Sequence, residues 1–77
     1  MTKNIRILAK TINWQLEREA EIEREGNNTS TAQSSLKALV YNLSENLRHD
    51  NTKLDVEKFY VACGLTEQDF VNDYIPF

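Results

Sequence analysis

The chain has 77 residues, a formal net charge of −3 and 40% hydrophobic residues, which allows one small domain with a marginal core. Its single cysteine, Cys63, excludes an intramolecular disulfide, and a lone His49 far from it in sequence leaves no His/Cys metal cluster. The acidic balance argues against nucleic acid as ligand, because phosphate neutralisation supplies most non-specific affinity.

Two glycines and one proline favour long helices over a turn-rich β fold. No stretch approaches the ~18 apolar residues of a membrane span, and Met1–Lys10 lacks the apolar core of a signal peptide. A cytoplasmic location is expected. The N-x-S/T triplets that begin at Asn27, Asn28 and Asn42 are then chance matches to a glycosylation pattern.

The first helix is predicted over about 4–25. Ile5, Leu8, Ala9, Ile12 and Leu16 share one face, which Ala20 extends. Gly26 stops the helix by accepting the left-handed conformation, and Asn27 and Asn28 continue the turn. The second half, Glu17–Glu25, reads EREAEIERE. Arg18–Glu21 and Glu21–Arg24 stand at i,i+3, whereas Glu17, Glu21 and Glu25 repel at i,i+4 and oppose the helix dipole. This end is either a solvated helix end that frays or an acidic patch for a basic partner. A carboxylate metal site is disfavoured, since no histidine joins the cluster. Ile7 and Trp14 lie about 180° from the Ile5–Ile12–Leu16 stripe. The C-terminal helices of the same chain could cover them, they could form a surface for a second copy or another protein, or they are simply scattered exposed residues. The candidate interaction surface is therefore Ile7, Trp14, Glu17, Glu21 and Glu25.

The second helix is predicted over about 31–49, with Ser30-x-x-Gln33 as a capping box. Ala32, Leu36, Leu39, Val40, Leu43 and Leu47 fall within an arc of roughly 100°. This stripe is expected to organise the fold, with Leu43 at its middle fully buried. Ser35, Lys37, Asn42, Ser44, Glu45 and Arg48 fill the remainder of the wheel. Arg48 and His49 suit the carbonyl end, and Asp50-Asn51-Thr52 is a turn.

The third helix, about 55–63, has Asp55 as N-cap and Leu54 with Phe59 as a hydrophobic staple. Val56, Phe59, Tyr60 and Cys63 form its apolar face. Gly64 ends it, with Leu65 folding back on Tyr60 as in a Schellman motif. The fourth helix, about 67–75, starts from Thr66 with Asp69 three positions on, and Phe70, Val71, Tyr74 and Ile75 make its apolar side. Pro76 ends the regular structure, and Phe77 is expected to dock on the body.

No catalytic constellation is present. Cys63 reads as a buried structural thiol, and His49 as a capping or solvated side chain. Asp69 and Asp73 stand at an i,i+4 spacing that carries almost no specificity. A phosphate-binding glycine loop, H-E-x-x-H and C-x-x-C are all missing from the sequence. No enzyme activity, cofactor or metal is expected. The pair at 56–75 has the length of a helix-turn-helix, and Gly64, Leu65 and Phe70 fall at its turn and apolar positions. Tyr60, however, stands where such motifs want a small residue. The would-be recognition helix carries Glu67, Asp69 and Asp73 and no Lys or Arg.

The expected fold is all-α and a single domain over 1–77: a small bundle in which a long antiparallel helix hairpin is capped by two short helices. The expected function is a non-catalytic protein–protein interaction module, a small regulator or adaptor of the accessory-gene or phage-encoded sort, acting as a homodimer. The alternative is a small nucleic-acid-associated regulator that uses the pair at 56–75.

Overall fold

In the computed structural model, which describes residues 1–74, the helices are α1 (Lys3–Arg24), α2 (Ser30–Asp50), α3 (Val56–Ala62) and α4 (Glu67–Tyr74), with no strand among the described residues. Their ends lie where the local chemistry stops them. Gly26, at φ +101°, donates its N–H to the Glu23 carbonyl at 3.0 Å, and Asn27 donates to Ile22 at 3.4 Å. Gly64, at φ +92°, repeats the motif, with Gly64 N–H on Val61 and Leu65 N–H on Tyr60, both at 3.0 Å. These are Schellman closures. A β-carbon on Gly64 would run into the side-chain amide of Asn13, so the glycine also allows α1 to approach closely. Asp55 caps α3 by accepting the Lys58 N–H at 3.1 Å. A complete capping box opens α4: Asp69 accepts the Thr66 N–H at 3.0 Å, and Thr66 Oγ1 accepts the Asp69 N–H at 3.1 Å.

The start of α2 differs from the expected capping box. Thr29, rather than Ser30, is its N-cap. The Thr29 hydroxyl is buried and donates to the Glu19 carbonyl at 2.9 Å, while Asn28 Oδ1 accepts the Ser30 N–H at 3.0 Å. Gln33 donates to Thr29 Oγ1 at 2.8 Å and to Glu23 at 2.7 Å. The hydroxyl and amide that would have capped α2 instead tie it to α1.

The two long helices pack against each other, and the two short helices pack against them. The short α3 sits at the centre. Phe59, Tyr60 and Cys63, together with Val40 and Ser44 of α2, form the most deeply buried side chains, and Ala9 and Ile12 of α1 close over them. Leu54, Val56 and Phe59 all join this cluster.

The expectation that Leu43 is fully buried at the centre of the core does not hold. Leu43 is half-buried and Leu39 is 45% exposed. The cause is one-sided cover. On one flank of α2, Tyr41 and Arg48 meet the Tyr74 ring, and Lys37 reaches Asp69 at 4.0 Å. Leu39 projects from the other flank, roughly 160° around the wheel from Lys37. Ser44, expected to face outward, is fully buried. Its hydroxyl donates to the Val40 carbonyl at 2.7 Å, so it enters the core with its polarity satisfied inside its own helix. The expectations for Ile75, Pro76 and Phe77 lie outside the described residues. The molecule measures 41 × 33 × 16 Å, and its shortest dimension is about that of two packed helix layers.

Phe59→Ala is expected to cost about 3–5 kcal/mol and Leu43→Ala less than about 2 kcal/mol, as measured by urea melts. Equal losses at the two positions would return the centre of the core to α2.

Candidate interaction surface

Of the covers open for Ile7 and Trp14, the C-terminal one is not used among the described residues. Helix α4 packs on α2 and α3, through Tyr41, Tyr60 and Tyr74. Ile7 remains 53% and Trp14 59% exposed. Both stand on the outer face of α1, opposite the Ala9 and Ile12 side that enters the core. Arg18 lies over the Trp14 ring with its guanidinium 5.9 Å from the centroid, a cation–π contact at an exposed site. The Thr11 hydroxyl donates to the Ile7 carbonyl at 2.9 Å.

The acidic members of the surface, Glu17, Glu21 and Glu25, are all exposed. The expected Arg18–Glu21 and Glu21–Arg24 pairs do not form; the ion pairs among the described residues are Lys37–Asp69 and Arg48–Glu45. Fraying of this end is opposed from the inner side, where α2 holds Glu19 through Thr29 and Glu23 through Gln33. The carboxylates are therefore displayed on an anchored helix. They share the outer face with Ile7 and Trp14, so α1 brings all five predicted residues to one side of the molecule. Lys3, Arg6 and Lys10 are also exposed on α1, and they are its only charges before Glu17. Sequence reasoning passed over these cations. Their segregation from the glutamates was visible in the sequence, but their exposure and freedom from partners were not.

Elsewhere, four titratable side chains have acidities shifted by their structural surroundings. Cys63 is completely buried, and burial pushes its thiol up to about 12. Such a thiol is neither a nucleophile nor a ready metal ligand at neutral pH. Burial raises the Tyr60 phenol well above its ordinary range, and its hydrogen bond to Asp73, 2.5 Å long, raises it further. Tyr74 is raised to about 12 by burial and then by the nearby Glu45 carboxylate, although its hydroxyl finds no partner in hydrogen-bonding geometry. The Thr66 backbone N–H holds Asp69 below the usual carboxylate range, with Lys37 assisting. Asp69 thus caps α4 and Asp73 anchors it, which accounts for this carboxylate pair without chemistry. Among the described residues, no group of three His, Cys, Asp or Glu side chains could hold a metal ion. No helix among them is long and apolar enough to cross a membrane.

The helix-turn-helix comparison fares no better in three dimensions. Tyr60 fills the space between α3 and α4 with its ring, edge-on to Phe70 and Tyr74 at 5.9 Å from each. The face that α4 leaves exposed holds Glu67, Gln68, Asn72 and Asp73. Set against known protein families, curated proteins and solved structures, the chain matches none.

Native Cys63 is expected to resist Ellman's reagent at pH 8 and to react once urea unfolds the chain. Its folded pKa, about 12, lies above the unfolded value of 9.0, so the folded state retains a proton that the unfolded state loses. Stability should therefore fall as pH rises past about 9. Thermal melts of Cys63→Ala should move that onset towards pH 10, where the tyrosines take over.

Proposed function

We propose that this chain is a non-catalytic protein–protein interaction module, a small regulator or adaptor, which associates with a second copy of itself through the outer face of α1. The observation that carries the reading is the joint exposure of Ile7 and Trp14 on a helix whose other face is in the core. Two large apolar side chains exposed on one helix face, two turns apart, make a candidate contact site. Tryptophan also anchors interfaces, because it buries a large area at low entropy cost. The chain exposes 5508 Å², against the roughly 4,900 Å² expected of a folded monomer of its mass.

A two-fold pair is self-complementary, so it brings Trp14 of one copy to the neighbourhood of Ile7 in the other. Arg18 and Glu25 would lie on the polar rim. A non-catalytic role is supported by the buried, proton-retaining Cys63 and by the structural employment of Asp69 and Asp73. The unpaired thiol also suits a reducing, cytoplasmic location. A nucleic-acid-associated regulator draws no support from α4, which has three carboxylates and no cation to meet phosphate.

Sedimentation equilibrium should show wild-type protein self-associating at tens to hundreds of micromolar. Trp14→Ala should weaken that association by roughly 2 kcal/mol or more, the threshold of a hot spot, with helicity unchanged by circular dichroism. A single 9.0 kDa species at hundreds of micromolar would sink the reading.

A further inference from the structure

We infer that the two copies pair along α1 in antiparallel register, with the basic first half of one helix against the acidic second half of the other. The inference rests on the reading that the outer face of α1 is the self-association surface, and it specifies how that surface is matched.

Lys3, Ile7, Lys10, Trp14, Glu17 and Glu21 follow one another at spacings of four, three, four, three and four, and all are exposed. This alternation keeps a single seam facing a neighbouring helix over the length of a contact. The seam reads cation, apolar, cation, apolar, anion, anion. In a parallel pair each residue would face its own copy. Lys3 would meet Lys3, Lys10 would meet Lys10, and both glutamates would meet themselves, which places four sets of like charge in opposition.

Reversing one helix about an axis near residue 12 removes every one of these clashes. Lys3 then faces Glu21 of the other copy, and Lys10 faces Trp14, where an ammonium over an indole is favourable. Ile7 lies against the stem of Glu17, one helical turn from the second Trp14. Symmetry repeats each contact. Among the described residues, Lys3, Lys10, Glu17 and Glu21 have no ion-pair partner within the chain, so no intramolecular contact has to break. Individually, exposed ion pairs contribute little. Here they select orientation and partner, as rim charges do, while Ile7 and Trp14 supply the buried area.

The test is a charge exchange. Lys3→Glu/Lys10→Glu makes both ends of the seam acidic, and Glu17→Lys/Glu21→Lys makes both ends basic. Each variant alone should self-associate at least about tenfold more weakly than wild type, with helicity retained. An equimolar mixture should form a heterodimer, seen by sedimentation or native mass spectrometry, and raised salt should weaken it. If wild type dimerises but the mixture stays monomeric, or if either variant alone associates as well as wild type, the antiparallel register is overturned and the self-association surface survives. If wild type is monomeric at hundreds of micromolar, the underlying surface assignment fails first.

Discussion

The buried phenol of Tyr60 is the constraint on which the arrangement of the short helices depends. Its ring is fully enclosed, and its hydroxyl donates to Asp73 on α4. Its backbone carbonyl accepts Leu65 as the chain turns out of α3. One residue therefore fixes where α3 ends, where the turn goes and where α4 lies. The hydroxyl needs a partner because a buried unpaired polar group is costly. Asp73 meets that need from a solvent-exposed position on α4. The aromatic rings of Phe70 and Tyr74 then complete the enclosure, stacked on each other at 5.4 Å.

Much of the fold was legible in the sequence because its signals are local. Gly26, Gly64, Asp55 and the Thr66/Asp69 pair each act within a few residues of themselves, and each does in space what its spacing implies. What stayed hidden depends on which flank of a helix is covered. Leu39, Leu43 and Val40 belong to one apolar arc on a helical wheel, and only the tertiary packing shows that the Val40 edge is covered while Leu39 is left exposed. Ser44 was hidden for a different reason, since a hydroxyl bonded to its own helix behaves as a small, nearly neutral core residue. At Thr29 a local rule competed with a tertiary contact to Glu19, and the tertiary contact won. For the surface on α1, the sequence located Ile7 and Trp14 away from the inner stripe, but only the packing of α4 against α2 and α3 showed that nothing in residues 1–74 comes to cover them.

The charges of α1 are arranged against the helix that carries them. Lys3 and Arg6 stand near its positive end and Glu21, Glu23 and Glu25 near its negative end, which opposes the macrodipole at both termini. A local arrangement that costs stability is often a sign of use elsewhere. A helix running in the opposite direction presents its positive end to those glutamates and its negative end to those cations. The order that is unfavourable within α1 becomes favourable beside an antiparallel neighbour.

The placement of Trp14 has an optical consequence. The only indole of the chain is 59% exposed in the single folded chain, so its emission is expected to be red-shifted in the monomer before any unfolding and to move to the blue on pairing. The phenol of Tyr60, in contrast, lies in the core, with Tyr74 partly enclosed beside it. Indole fluorescence therefore watches the outer face of α1, and tyrosine absorbance watches the packing of α3 and α4. Failure of two probes to coincide is ordinarily taken as the mark of an intermediate. In a two-state transition the two signals still share one midpoint, and the exposed indole contributes the smaller change.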